Sequence, residues 1–279
     1  DGRHPDSVTF TPDLIEDLKR RDFTINAMAY NRDRGLVDAF GGRKDLEDGV
    51  IRCVGAAEER FTEDALRILR AIRFSAQLGF SIEESTWEAI KVIAPNLIHV
   101  SKERIQVELT KLLLSNHPDE IRKVFDRELD TRICADFPKI DPERIAIDPG
   151  LPKNKHMRWA ALLRHRTPEE AVAILRQLKL DNDTINRVKT LVQWWKRPVG
   201  ADQTQIRRTM SQMAPELYDD LLVLKTSVGE LELQAEGCVE DLDWVKTQSR
   251  EIRQRGDCVS LKELAVTGAD LIQSGMKPG

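Results

Sequence analysis

The chain has 279 residues, of which 41% are hydrophobic and 32% charged, the composition of a folded globular protein with room for two domains or more. A formal net charge of −4 argues against broad, non-specific binding of polyanions, so any nucleic-acid contact has to come from local basic patches. Cys53, Cys134, Cys238 and Cys258 form no CxxC or Cys/His metal spacing, and no apolar run approaches the roughly 18 residues of a membrane span; reduced thiols in a cytosolic protein are expected, with no structural zinc.

Asp1 to Ser7 is turn-forming and reads as the middle of a loop, so the chain is expected to be a piece of a longer protein. Val8 to Phe10 reads as a short strand, and Thr11-Pro12-Asp13 opens a helix to about Arg21. Arg20 to Asn31 turns from basic to apolar and is followed by a turn and a strand at Gly35 to Asp38. A glycine pair, a short helical pattern and the strand-like Val50 to Val54 close a mixed α/β piece near Gly55. Beyond it the pattern is almost wholly helical. Helices are expected over Glu63 to Phe80, Ser85 to Ala94, Ser101 to Leu114, Arg158 to Arg164, Pro168 to Leu178 and Asn182 to Trp195. Further helices are expected over Gln203 to Met213, Pro215 to Val228 and Glu230 to Arg255, with Thr267 capping a last one. Arg132 to Lys155, rich in proline, aspartate and charge, reads as a boundary or variable loop.

Within Glu63 to Phe80, Asp64, Arg67, Arg70 and Arg73 recur every third residue among alanine, leucine, isoleucine and phenylalanine. The predicted helix, about 16 residues and about 24 Å long, is therefore apolar on nearly all sides except one ridge. A carboxylate one turn from a guanidinium complements a ligand edge that offers a donor beside an acceptor. Cytosine and adenine have such an edge, an exocyclic amine beside an unprotonated ring nitrogen, whereas guanine and uracil present the reverse. Asp64 with Arg67 would accept C and A and refuse G and U, while Arg70 and Arg73 could meet phosphate oxygens. The alternative is a solvated stripe in which Glu63 and Asp64 pair with Arg67. Arg20 to Ala27, RRDFTINA, is a dense set of donors for sugar and phosphate, or a helix end whose arginines are merely solvated. Asp38 with Gly41 and Gly42 reads as a hinge or a strand-to-helix turn.

RRDFTINAMAY from Arg20, DAFGGRKDLEDGVIR from Asp38 and RFTEDALRILRAIRFSAQLGF from Arg60, in that order, closely resemble successive motifs of the bacterial class II tRNA nucleotidyltransferases. These are the CCA-adding enzymes of the polymerase β-like nucleotidyltransferase superfamily. The resemblance covers Arg3 to about Leu114 and returns more weakly at RWAALLRHR, LRQLKLDNDTINRV and LAVTGADLIQSGMKPG. It implies a mainly α fold: the remnant of an α/β nucleotidyltransferase head over residues 1–55, then an all-helical neck (56–118), body (119–198) and tail (199–279). It implies template-independent addition of C, C and A to the 3′ end of tRNA from CTP and ATP. Arg21 would contact the nucleotide, Asp64 and Arg67 would read the base, Arg70 and Arg73 would extend the site, and Asp22 and Asn26 would order the sugar and phosphate pocket. The partner would be the tRNA acceptor arm, met by a cytoplasmic monomer or homodimer with no membrane attachment. Lys153, Lys155, Arg158 and Arg164 form the best local basic patch for tRNA phosphates.

Two departures qualify the match. Ala39 stands where the family usually has proline, in the hinge-like segment. The Asp-x-Asp carboxylates that bind Mg²⁺ in the family belong to a segment expected upstream of Asp1, so residues 1–279 alone are expected to be inactive. Asp181-Asn182-Asp183 and Asp241-Leu242-Asp243 lie at a helix start or on a charged helix face and read as structural. Trp159, Trp194 and Trp195 read as helix packing rather than base-stacking platforms, and the five histidines show no metal spacing. A poly(A) polymerase, an enzyme adding only CC or only A, and a non-catalytic RNA-binding scaffold are the alternatives.

Overall fold

The computed structural model describes residues 13–126, 129–134, 137, 143, 145–260, 263, 265, 266 and 268–276. The expected strand at Val8 to Phe10, the Thr11-Pro12 helix start and the Thr267 cap lie outside the described residues. The chain divides into two compact units, Asp1–Lys189 and Thr190–Gly279.

In the first unit Asp13 caps helix α1 (Leu14–Lys19), its carboxylate accepting from the Ile15 amide at 2.9 Å. Strands β1 (Met28–Asn31) and β2 (Gly35–Asp38) pair as an antiparallel hairpin, with Met28 opposite Asp38 and Asn31 opposite Gly35. Helix α2 (Gly42–Asp48) follows at once. Its glycine pair has two separate jobs. Gly41 sits at φ +74°, and a Cβ on Gly42 would stand 2.1 Å from the Thr24 carbonyl oxygen. The Asp38 carboxylate accepts from the Gly42 and Arg43 amides, each at 2.8 Å, and so closes the helix start. Of the expected strand Val50 to Val54, only β3 (Val50–Ile51) forms a ladder, parallel to β4 (Ser81–Ile82); Cys53 makes an isolated bridge with Phe23.

The helix expected over Glu63 to Phe80 is two helices, α3 (Ala57–Glu63) and α4 (Leu66–Leu78). Asp64 breaks them apart at φ −152°, ψ 100°, where its carboxylate accepts from the Leu66 amide at 3.2 Å and its carbonyl from the Arg67 amide at 3.0 Å. A short acceptor side chain favours this start-of-helix role over a helix interior. Gly79, at φ +70°, ends α4 as its sequence position suggests. Helix α4, in which Ile68, Leu69, Ile72 and Ala76 are buried, packs against α6 (Lys102–Leu113), which follows α5 (Glu84–Ile93). Short helices α7 (Arg122–Asp126) and α8 (Leu129–Ile133) come next, then α9 (Lys155–Leu163), α10 (Pro168–Gln177) and α11 (Asn182–Trp194). Trp159 of α9 is fully buried and donates its indole N–H to Thr110 Oγ1 at 3.1 Å, so it serves packing. Asp181 caps α11 through the Thr184 amide at 2.8 Å, a structural use of the first Asp-x-Asp triplet.

The second unit contains α12 (Gln203–Met210), α13 (Pro215–Val228), α14 (Glu230–Ala235), α15 (Leu242–Gln254) and α16 (Gly268–Gln273). The single helix expected over Glu230 to Arg255 is interrupted. Gly237 turns the chain at φ +80°, and Asp241 restarts it by accepting from the Asp243 and Trp244 amides at 3.1 and 2.9 Å, so the second Asp-x-Asp triplet is also a cap. Leu221 and Leu224 of α13 and Ile252 of α15 are fully buried, and Tyr218 shares a 2.7 Å hydrogen bond with Ser249. Lys225 is fully buried too, pairing with Glu240 at 2.6 Å and donating to the carbonyls of Trp195 at 3.0 Å and Arg197 at 2.8 Å. The architecture is mainly helical, as expected.

Candidate nucleotide-binding site

The break between α3 and α4 opens onto a cleft of about 580 Å³ whose wall includes Arg21, Asp22, Asn26, Asp64, Arg67 and Arg70. Residues nearly fifty positions apart meet there because α1 ends beside the start of α4. Arg67 Nη1 donates to Glu63 Oε2 at 2.7 Å and to the Arg60 carbonyl at 3.0 Å, while Nη2 donates to the Arg20 carbonyl at 3.1 Å. Three of the five guanidinium hydrogens are thus committed to fixed protein acceptors, and the Nε hydrogen and the second on Nη2 are left over from that set.

Asp22 is buried and accepts from the Phe23 amide at 2.9 Å, Asn26 Nδ2 at 3.1 Å and Arg70 Nε at 2.7 Å, with Arg70 Nη2 also 2.6 Å away. Its lone pairs are thereby taken up by Phe23, Asn26 and Arg70. Arg21 is more than half exposed and makes only a 3.6 Å ion pair with Asp17 among the described residues. Burial pushes the neighbouring Cys53 thiol up to about 12, so no thiolate nucleophile stands behind the site.

Asp64 has a partner that sequence reasoning missed. Arg104, from the first turn of α6, donates Nη1 to Asp64 Oδ1 at 3.1 Å and Nη2 to Oδ2 at 2.5 Å. With the Leu66 amide these occupy three of about four lone-pair positions and leave room for one further donor. The charged start of α6, Lys102-Glu103-Arg104, was visible in the sequence; its pairing with a residue forty positions earlier was not.

Two parts of the expected site need correction. Arg73 is only 6% exposed and lies in the contact between α4 and α6. Its Nε donates to the buried Glu108 at 2.5 Å and its guanidinium covers the Phe74 ring at 3.7 Å, so it does not extend the cleft. The basic patch is also largely internal. Arg158 is fully buried, with Nη1 donating to the Asp148 carbonyl at 3.1 Å, Nη2 to those of Pro149 at 2.8 Å and Leu151 at 2.6 Å, and Nε to Pro152 at 3.3 Å. Arg164, 3% exposed, donates to the Ala146 and Ala161 carbonyls at 3.0 and 2.7 Å. Lys155 pairs with Asp181, and Lys153, which is exposed, donates to Asn116 at 2.6 Å. The physical reason lies in residues 145–152, which pack Ile145, Ile147 and Leu151 inside without helix or strand and leave carbonyls that need donors.

Comparison with known proteins identifies the family. A CCA-adding enzyme of Latilactobacillus sakei is 35% identical in an alignment covering all of this chain and 68% of the relative. The chain belongs to the CCA-adding enzymes. The Lacticaseibacillus paracasei CCA-adding enzyme is 37% identical across the whole chain and 67% of its own length. Residues 1–52 match the family described as the poly A polymerase head domain, 79–127 a probable RNA- and SrmB-binding site of polymerase A, and 152–279 tRNA nucleotidyltransferase domain 2. The crystal structure of the Bacillus stearothermophilus CCA-adding enzyme in complex with CTP superimposes with a TM-score of 0.80 at 29% identity, over 97% of this chain and 67% of that one. The Thermotoga maritima CCA-adding enzyme complexed with tRNA, at 24% identity and a TM-score of 0.60, shares the fold.

No helix among the described residues is long and apolar enough to cross a membrane. Nor do the described residues contain a group of three or more His, Cys, Asp or Glu side chains placed to hold a metal ion.

Proposed function

We propose that the protein carrying this chain adds C, C and A to the 3′ end of tRNA from CTP and ATP without a nucleic-acid template, and that Asp64 and Arg67 select the base. One observation carries the reading: Asp64 and Arg67 line one cleft, each fixed by protein partners that leave it one side of hydrogen-bonding capacity. Asp64 accepts from the exocyclic amine of C or A, and Arg67 donates to the adjacent ring nitrogen. Uracil and guanine present a carbonyl to the carboxylate and an N–H to the guanidinium, leaving like facing like. Arg70, steadied by Asp22, and the exposed Arg21 serve the sugar and phosphates. The residues divide into a head remnant (1–55), neck (56–118), body (119–198) and tail (199–279). A cytoplasmic monomer or homodimer meets the acceptor arm of tRNA. The chemical step uses Mg²⁺ held by carboxylates other than those described, and none of the roles given to Asp64, Arg67 or Arg70 depends on it.

In the natural enzyme, Asp64→Ala is expected to weaken selection against UTP and GTP by about ten-fold or more, from roughly 1 to 3 kcal/mol per mismatched group. Arg67→Ala should depress use of CTP and ATP together, and Arg70→Ala should raise the requirement for every nucleotide. Steady-state incorporation with each of the four nucleotides checks this; wild-type selectivity and rate in the Asp64 and Arg67 variants would place base choice elsewhere. A separate expectation concerns residues 1–279 by themselves, which should transfer no labelled CMP to tRNA lacking CCA. Measurable incorporation by that purified polypeptide would show that it holds its own metal ligands.

A further inference from the structure

We infer that Arg60 is a positioning residue for base selection, acting by aiming the Arg67 guanidinium; the inference rests on Arg67 reading the base, as proposed above. Arg60 lies on α3, on the far side of the Asp64 break from Arg67. Its side chain is 13% exposed, and its Nη2 contacts Glu63 Oε1 at 2.6 Å while Nη1 donates to the Lys19 carbonyl at 3.2 Å. The second oxygen of the same Glu63 carboxylate accepts from Arg67 at 2.7 Å. One carboxylate is thereby held between two guanidinium groups. The main-chain carbonyl of Arg60 is itself another acceptor for Arg67, at 3.0 Å.

The arrangement answers a problem created by the break. In a continuous helix, Arg60, Glu63 and Arg67 would share a face through their spacing of three and four residues, and the helix would fix Arg67. Here Asp64 is extended, so α3 alone does not dictate where the first turn of α4 points. The Arg60–Glu63–Arg67 staple spans that gap. Its outer ends are tied to successive carbonyls at the C-terminus of α1, Lys19 for Arg60 and Arg20 for Arg67, which have no partner further along a six-residue helix. Of the three acceptors that orient Arg67, one is the Arg60 main chain and a second is the carboxylate that the Arg60 side chain holds. Hydrogen bonds weaken steeply with misalignment, so a guanidinium free to swing would still carry charge for the nucleotide but would lose its distinction between a ring nitrogen and a ring N–H. Loss of Arg60 should therefore show in selectivity, beyond any general loss of rate.

The test is made in the natural enzyme, with kcat/KM for CTP, ATP and UTP measured on tRNA acceptors. Arg60→Met is expected to reduce kcat/KM for CTP and ATP together by about ten-fold and the CTP-to-UTP preference by a similar factor. Arg60→Lys, which keeps a charge for Glu63 but loses the fork that also reaches Lys19, should fall between. If Arg60 acts through Arg67, Arg60→Met in an Arg67→Ala background should change the preference by less than about two-fold. An equal fall for all nucleotides at constant preference, or fully additive losses in the double variant, would overturn the inference. Should Arg60→Met fail to fold, Arg60→Lys and Glu63→Gln carry the same comparison. Wild-type selectivity in Arg67→Ala would instead sink the base-reading proposal itself, whereas loss in Arg67→Ala with none in the Arg60 variants sinks only this inference.

Discussion

Replacing Arg158 by methionine is expected to cost about 3 kcal/mol or more of stability while leaving tRNA affinity per folded molecule within about two-fold of wild type. The side chain is fully buried, and its donors meet four carbonyls, those of Asp148, Pro149, Leu151 and Pro152. Burial lowers its pKa and the nearby Asp148 opposes that effect. Methionine matches much of the volume but leaves those acceptors without donors, each worth roughly 1 to 3 kcal/mol where water cannot replace the arginine. Lysine should recover only part of the loss, because three hydrogens on one nitrogen cannot span carbonyls spread over five residues. Urea unfolding and tRNA titration across a salt series separate the two roles. A phosphate contact would show the opposite pattern, unchanged unfolding with weaker binding and a salt slope smaller by about one.

Arg158 also shows where a sequence stops being informative. RWAALLRHR has arginines at a spacing that reads as a basic face, and nothing local distinguishes a guanidinium bound for phosphate from one bound for the carbonyls of an irregular segment just upstream. The same limit hid the Arg73 pairing with Glu108, 35 residues away, and the Arg104 pairing with Asp64. What was legible depended on local physics. The 3.6-residue period places α13 and α10 almost to the residue, expected over Pro215 to Val228 and Pro168 to Leu178. Of the every-third-residue ridge, Asp64, Arg67 and Arg70 line the cleft and Arg73 does not. Periodicity misjudged the backbone at Asp64, because it records which residues are apolar and is blind to an aspartate that stops one helix and starts the next. Burial of α4 followed from its apolar sides, whereas the partner of each charged residue depended on tertiary packing.

Lys225→Met should destabilise the second unit by about 3–5 kcal/mol, the usual cost of removing one member of a buried ion pair. Both partners are inside: side-chain exposure is 0% for Lys225 and 5% for Glu240. Methionine would fill most of the space left by the lysine stem, so a cavity is not the main cost. The penalty comes from Glu240, whose remaining partners include the Val199 amide at 2.7 Å but no longer the ammonium at 2.6 Å, and from the Trp195 and Arg197 carbonyls that lose a donor. If that account is right, Lys225→Met combined with Glu240→Gln should be more stable than Lys225→Met alone, since the second change removes the stranded charge. A double variant less stable than either single one would mean that the two side chains contribute separately through packing. Denaturant unfolding of the four proteins in the cycle measures this. A loss below about 1 kcal/mol for Lys225→Met would show that the ion pair is dispensable and that the apolar contacts of α13 and α15 alone hold the unit together.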